Sequence, residues 1–396
     1  MADLWHRVLG PGAWAGAALA MACCSTQAPA ATPAASSSPP AQMAGTHGTV
    51  SFVSQRVGWV VAPHARRHNT DIYKSVDGGL TWTRWGSLSA PAELVKASDS
   101  AVILMPVDSS HQASQLEYSS DGSHWQERRL PFPLDGVPGV HGTQFLDDMR
   151  HGWITQEAYA GGPDDFSRTT DGGRTWTTLA RLNYSNGGST PFFWSATDGA
   201  MTLLEGKGSS LMRTSDGGGT WHEVQVPAVD LQKDLGLDGN VVRVEPESPV
   251  MFDGATGLLP RRLNPTDGRQ NPGLNQVVYV SRTVDGGEHW SGSRLVRLPT
   301  AGGVTFLSDV RWVLSSQSSI YTTNDAGATW HRAEGLDPTL QRGYPVPASL
   351  AGSGGMVATL TYSVGDIEWM VMTTDAGTHW SPVPLPDIRE AAELVV

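Results

Sequence analysis

Seven copies of one short phrase predict an all-β chain, a seven-bladed β-propeller of four-stranded antiparallel blades with one copy of the phrase in each blade. The phrase reads Ser/Thr-x-Asp-x-Gly-x-Thr/His-Trp and is clearest from Ser75 to Trp82. It returns at Ser119 to Trp125 (one residue shorter), Thr169 to Trp176, Thr214 to Trp221, Thr283 to Trp290, Thr323 to Trp330 and Thr373 to Trp380. The closing tryptophans of successive copies lie 43, 51, 45, 69, 40 and 50 residues apart, the length of one four-stranded blade. Within the first unit four strand-like runs follow one another: Val50–Val53, Gly58–Val61, Ile72–Lys74 and Thr81–Thr83.

The phrase itself has the chemistry of a turn. Asp-Gly between two strand-like runs is a strong hairpin signal. The aspartate accepts backbone N–H groups further along the turn, and glycine supplies the positive φ that other residues resist. The leading hydroxyl adds a local bond, while the tryptophan buries its ring and still needs a partner for its indole N–H. Asp77, Asp121, Asp171, Asp216, Asp285, Asp325 and Asp375 are therefore read as structural residues. Upstream of the turn a looser pattern recurs, Phe52 with Gly58-Trp59, Phe145 with Gly152-Trp153, and Phe306 with Trp312. The turn phrase then falls between the third and fourth strands. The 69-residue gap exceeds the period, and two segments absorb the excess: Val229–Glu247, and Asn264–Asn275 with its Asn-Pro and Asp-Gly signals. No helical period of useful length is present, and Asp230, Asp234 and Asp238 read as an exposed acidic loop. The tail Glu393–Val396 either adds a strand or frays.

The N-terminal region differs in composition. Residues 1–23 carry His6 and Arg7, then the apolar run Ala13–Ala22, then Cys23, and the run is too short to span a membrane. Residues 24–47, rich in Ala, Pro, Ser and Thr, cannot build a core and read as a flexible tether. The expected domain is 48–387, followed by a tail at 388–396. Cys23 and Cys24 are the only cysteines, so no disulfide staples the domain. A net charge of −12 argues against nucleic acid, where a basic stripe is expected.

The phrase resembles the Asp-box, or BNR repeat, of sialidases and related β-propellers. The order Phe52, Gly58-Trp59, Asp77–Trp82, repeated at Phe145, Gly152-Trp153, Thr170–Trp176, resembles the blades of the photosystem II assembly-factor family. Leu19-Ala20-Met21-Ala22-Cys23 resembles a bacterial lipobox. That resemblance implies cleavage before Cys23, lipidation of Cys23, and a domain held outside the cell, in the bacterial envelope, by its acyl chains. An ordinary signal peptide is the alternative. The sialidase resemblance implies three arginines converging on a substrate carboxylate, a Tyr nucleophile activated by Glu, and an Asp acid/base. The early arginines, Arg56, Arg66 and Arg67, lack the Arg-Ile-Pro context of that family, and Glu117-Tyr118 and Glu368-Trp369 supply no defined Tyr/Glu pair. The assembly-factor resemblance implies a binding scaffold with an Arg-rich face, which 27 Lys+Arg without a dense cluster do not reproduce.

There is no Gly-x-Ser-x-Gly elbow, His-Glu-x-x-His or P-loop, so no catalytic residue, cofactor or metal is expected. His64–His68 and Asp164-Asp165 are weak ion-binding candidates and read first as solvated loops. A ligand is expected on the face opposite the turns, where the loops joining strands two and three open. That face is assigned Arg66, Arg67, His68, Tyr159, Asp164, Asp165, Arg261, Arg262, Arg269 and Tyr362. The expected function is a monomeric, non-catalytic, membrane-tethered scaffold that binds a protein or glycan outside the cell. A sialidase-like exo-glycosidase is the alternative.

Overall fold

The computed structural model describes residues 43–44, 49–64, 68–107, 113, 115–131, 140–157, 164–182, 190–205, 208–239, 242–265, 273–316, 319–333, 344–351, 357–364, 367–373, 379–383 and 386. The described chain is a β-propeller of four-stranded antiparallel blades. The first strand, β1 (Met43–Ala44), belongs to the last sheet. Blade 1 follows with β2 (Thr49–Phe52), β3 (Gly58–His64), β4 (Asn69–Ser75) and β5 (Thr83–Leu88). Blade 2 comprises β6 (Ala92–Ala97), β7 (Val102–Pro106), β8 (Gln115–Ser119) and β9 (Gln126–Arg129). Blade 3 comprises β10 (Val140–Phe145), β11 (Gly152–Glu157), β12 (Asp164–Thr169) and β13 (Thr177–Leu182). Blade 4 is β14 (Phe192–Phe193), β15 (Gly199–Glu205), β16 (Gly208–Thr214) and β17 (His222–Val224).

Blade 5 departs from this plan. A one-turn helix α1 (Leu231–Leu235) precedes it, and its inner edge is split into β18 (Val242–Pro246) and β19 (Val250–Met251). Both pair with the long β20 (Gly257–Pro265), which continues through a 3₁₀ turn (Leu274–Gln276) into β21 (Val277–Thr283) and β22 (Arg294–Arg297). Blade 6 is β23 (Gly303–Phe306), β24 (Trp312–Ser315), β25 (Ile320–Thr323) and β26 (His331–Arg332).

The seven copies of the phrase predict seven blades, whereas the described structure shows six, the side chains of most of their residues included. The seventh copy falls in a further sheet of β27 (Tyr344–Ala351), β28 (Val357–Val364), β29 (Ile367–Thr373) and β30 (Ser381–Val383), described for most of its length by strand pairing alone. There β1 extends the edge of β29, Met43 opposite Glu368 and Ala44 opposite Ile367. β27 approaches both β2 and β24, and Met372 packs on the cluster of Val50 and Phe52. Residues 388–396 and Cys23 lie outside the described residues.

The core lies between blades, so each blade buries both faces. Trp59, Val61, Ile72 and Leu88 of blade 1 meet Val102 and Leu104 of blade 2. Trp153 and Phe166 of blade 3 meet Phe193 and Met201 of blade 4, with the rings of Trp153 and Phe193 stacked at 3.7 Å. The recurrent Phe…Gly-Trp pattern has a steric cause. A Cβ on Gly58 would sit 2.7 Å from the Phe52 ring, and one on Gly152 would meet Phe145 at the same 2.7 Å. Glycine opens β3, β11 and β15 because the aromatic ring of the preceding strand occupies the side-chain position.

The turn phrase does more than close its own hairpin. Ser75 Oγ donates to Asp77 Oδ1 at 2.8 Å and accepts from Gly79 N at 2.8 Å. Asp77 in turn accepts from Thr81 N at 2.9 Å and Thr81 Oγ1 at 2.5 Å. The same set recurs at Asp171, Asp216 and Asp325, and His289 takes the threonine's place at Asp285. In the shortened copy Asp121 accepts from the N–H groups of Ser123 and His124. Gly78 and Gly79 hold φ of 77° and 86°, as their neighbours' side chains would resist. The turn then receives groups from the preceding blade. Arg168 Nη1 donates to Asp216 O at 2.7 Å, Trp153 Nε1 to Gly217 O at 2.9 Å, and Arg213 Nε to Gly286 O at 2.9 Å. Arg128 reaches Gly172 O, and Arg294 reaches Ala326 O. The indole N–H groups divide: Trp125 donates to Ser87 O and Trp221 to Gly218 O, while those of Trp176, Trp290 and Trp330 are buried with no hydrogen-bond partner.

Candidate functional site

The two faces follow from the backbone. Gly78 N donates to Arg56 O, Gly172 N to Arg150 O, Gly217 N to Thr197 O and Gly286 N to Ala255 O. In these blades, and in blade 6 where Ala326 N donates to Val310 O, the turn phrase therefore sits beside the loop joining strands one and two of its own blade. The links between strands two and three, and those between blades, lie at the opposite ends of the strands. On that loop face a cavity of about 620 Å³ opens between blades 5 and 6. This volume falls within the range of small-ligand sites.

The insertions of blade 5 build this cavity. Asp230 Oδ1 caps α1 by accepting from Lys233 N at 3.0 Å, and Gly236, at φ 69°, ends it. Leu231 then packs with Val242, Leu263, Leu274 and Tyr279. The acidic segment is thus a capped helical turn, and Asp234 accepts from Tyr279 Oη at 3.0 Å, so its carboxylate braces the blade. Burial, the hydrogen bond to Asp234 and the charge of Asp234 push the Tyr279 phenol up to about 12.

Arg261 and Arg262 are neighbours on β20, and strand alternation sends them to opposite sides. Arg261 is buried toward blade 4, where Nη2 donates to Pro227 O at 2.9 Å and burial lowers its pKa. Arg262 faces the cavity and pairs through Nε with Glu247, which lies between β18 and β19. Burial raises the Glu247 carboxyl above its ordinary range, and the charge of Arg262 works against that rise. Glu247 and Arg262 are the charged residues of the lining. The rest of the polar lining is amide and hydroxyl: Asn264, Asn275, Thr300, Ser315 and Ser316. Asn264 Nδ2 donates to Glu245 Oε2 at 2.5 Å. Leu274, Leu298, Val304 and Phe306 supply an apolar wall.

The other expected face residues do not join this site. His68 is exposed on the loop face of blade 1 with φ 52°. Nearby, His64 turns inward with Nε2 3.2 Å from Asp71 Oδ2, and Arg84 Nη2 holds the other oxygen of Asp71 at 2.7 Å. His64 thus stands beside the buried carboxylate of Asp71, which Arg84 holds. Asp164 and Asp165 are expected in a loop, but they begin β12, opposite Glu157 and Gln156, and Asp164 is buried. Tyr362 is likewise a strand residue, opposite Trp369 in β28. Arg66, Arg67, Tyr159, Arg269 and Asp375 lie outside the described residues. Among the described residues no group of three His, Cys, Asp or Glu side chains is placed to hold a metal ion, and no helix is long and apolar enough to cross a membrane.

Sequence reasoning missed Glu247, Asn264, Asn275 and Thr300. The oversized gap and its Asn-Pro signals did point to blade 5. The contribution of Thr300, in the link to blade 6, depends on which blade ends meet and has no local signature.

No family model matches the chain, and no curated protein matches it in sequence. Solved structures do match in fold. YCF48 from Cyanidioschyzon merolae is 13% identical with a TM-score of 0.52, covering 85% of this chain and 98% of its own. A Mycobacterium tuberculosis puromycin-hydrolyzing peptidase is 11% identical with a TM-score of 0.53, and the match covers 87% of this chain and 55% of the peptidase. The polysaccharide lyase Uly1 is 8% identical with a TM-score of 0.51, over 82% of this chain and 89% of the lyase. At these identities the likeness is one of fold, a β-propeller, shared by proteins with unlike activities.

Proposed function

We propose that this chain is a non-catalytic, extracytoplasmic β-propeller, tethered to the membrane through a lipidated Cys23, that binds a protein or glycan partner and acts as a binding or assembly scaffold. In this reading the turn phrases are Asp-boxes, and the sheet of β27 to β30 is the seventh blade, closing the ring between blades 6 and 1. The observation that carries the binding role is the cavity between blades 5 and 6. It is the product of insertions that break the repeat, and it places Arg262 and Glu247 beside an apolar wall on the loop face. A blade enlarged on one face alone is the pattern expected of a recognition surface on a fixed scaffold.

The sialidase-like alternative needs three guanidiniums converging on one carboxylate. Arg261 turns away from Arg262 toward Pro227, so this pair of arginines does not start such a cluster. Likeness to YCF48 on one side and to a polysaccharide lyase on the other leaves the partner to experiment.

The test is photo-crosslinking in the native envelope with a crosslinker placed at Asn275. A reproducible partner, lost on Arg262→Glu, supports the reading. Turnover of a fluorogenic sialoside that Arg262→Gln abolishes would overturn the non-catalytic assignment. Metabolic labelling with an alkyne fatty acid that survives Cys23→Ser would remove the tether.

A further inference from the structure

Resting on the reading of this cavity as a binding site, we infer that its ligand is a neutral, polyhydroxylated ring compound, a mono- or disaccharide unit without carboxylate, phosphate or sulfate. Three features of the lining point there.

The first is charge. Arg262 is the single guanidinium of the lining and is already held by Glu247, the single carboxylate. An anion taking Arg262 would leave Glu247, which is two-thirds buried, without its counter-ion. Breaking a pair in that way costs more than the new contact returns. The net charge of −12 adds long-range repulsion against polyanions. A neutral ligand leaves the pair intact. It uses what the pair still offers, the terminal guanidinium N–H groups as donors and the second carboxylate oxygen as acceptor.

The second feature is the mixture of uncharged donors and acceptors. Asn264, Asn275 and Thr300 each present both kinds of group, as vicinal hydroxyls require, since every hydroxyl donates once and accepts as well. Two hydroxyls are already directed elsewhere: Ser316 Oγ donates to Ser319 O at 2.9 Å and Ser315 Oγ to Gly303 O at 3.4 Å. Asn264 Nδ2 likewise donates to Glu245 Oε2, so Asn275, Thr300, the remaining amide groups of Asn264 and the Arg–Glu pair are those that would read the ligand. The third feature is the wall of Leu274, Leu298 and Val304, which offers an apolar surface for the C–H face of a pyranose ring. One cavity thus meets both surfaces of a sugar.

The test is saturation-transfer NMR on the full chain with five probes at equal concentration: maltose, cellobiose, lactose, digalacturonic acid and tri-alanine. The expected result is a signal from at least one neutral disaccharide and none from digalacturonic acid. Loss of one or two hydrogen bonds in Thr300→Val or Arg262→Gln is expected to weaken that signal about fivefold. Thr300→Val is near-isosteric, and circular dichroism of both variants checks that they fold. If digalacturonic acid or tri-alanine is preferred and Arg262→Gln removes its signal, the ligand class is wrong while the binding-site reading stands. A neutral-sugar signal unchanged in both variants places the sugar elsewhere and overturns the inference. Silence from every probe overturns it as well, and the crosslinking experiment then decides whether the site itself survives.

Discussion

The turn face and the loop face of this propeller are built on opposite plans. On the turn face one solution is repeated with few changes. Each described aspartate is saturated by N–H and O–H donors, and the turns of blades 3 to 6 are reached by groups from the blade before them. On the loop face of blade 5 nothing repeats: a helix is inserted, an inner strand is split, and an arginine faces a cavity. Repetition marks where the fold is held, and its interruption marks where the proposed ligand would be read.

The comparison implies that stability is concentrated on one side and binding on the other. Trp153→Ala should cause the largest loss, about 3–5 kcal/mol in denaturant unfolding, since it removes a buried ring, its stack on Phe193 and the bond to Gly217 O. Thr214→Val should cost about 1–3 kcal/mol by leaving the buried Gly218 N–H unpaired, with Asp216 losing a donor. A loss near zero would break the account of the turn.

Acid acts on the same face. Donation by the Thr81 hydroxyl and N–H holds Asp77 near 2, and the N–H of Thr220 does the same for Asp216. For Asp171 burial works against the ion, and the donors of Thr175 and Thr169 outweigh it, again giving about 2. Asp121 and Asp325 are also lowered, the former chiefly by His124 N–H, the latter by the Thr329 hydroxyl. These folded values lie below the ordinary 3.8, so the stabilisation is complete above that pH. It drains away as pH falls toward 2, because the unfolded chain takes up the protons first. Thermal unfolding scanned downward from pH 6 should show a plateau and then a cooperative fall in that window.

Smaller effects sharpen the contrast. Ala326 holds φ of 60° where four other long turns place glycine (Gly78, Gly172, Gly217 and Gly286), so Ala326→Gly should gain a few tenths to about 1 kcal/mol by relieving a left-handed non-glycine residue. Arg262→Gln, on the other face, takes the counter-ion from Glu247 but at a half-exposed pair, so it should cost no more than about 1 kcal/mol while weakening the proposed binding about fivefold. A large stability loss there would mean that the Arg262–Glu247 pair holds the fold together.

The repeated elements were legible because their causes are local. Ser75 to Trp82 carries its own donors, acceptors and positive-φ glycines, so strand order and turn position can be read without knowing the rest of the chain. Gly58 beside Phe52 was visible as a pattern, although its steric reason needed coordinates. The site was less legible. Arg261 and Arg262 look equivalent in sequence, and only the strand's phase and the packing of α1 send one to Pro227 and the other to Glu247. Asp164 and Tyr362 were assigned to loops because the strands run further toward the loop face than their apolar pattern does. The phrase shows its own turn chemistry in sequence, whereas its links to Arg168 and Arg213 of the preceding blade are non-local contacts that no single repeat encodes.

The pairing of β1 with β29 has a mechanical consequence. Met43 and Ala44 lie along the edge of the last sheet at its loop-face end, before the chain enters blade 1 at Thr49. Tension applied from the N-terminal side therefore reaches the ring through a clasp of two residue pairs. Such a clasp unzips pair by pair at low force, ahead of the sheared ladders of the blades. It would act as a fuse, lengthening the chain and sparing the blades under the pull that the proposed tether and partner would exert.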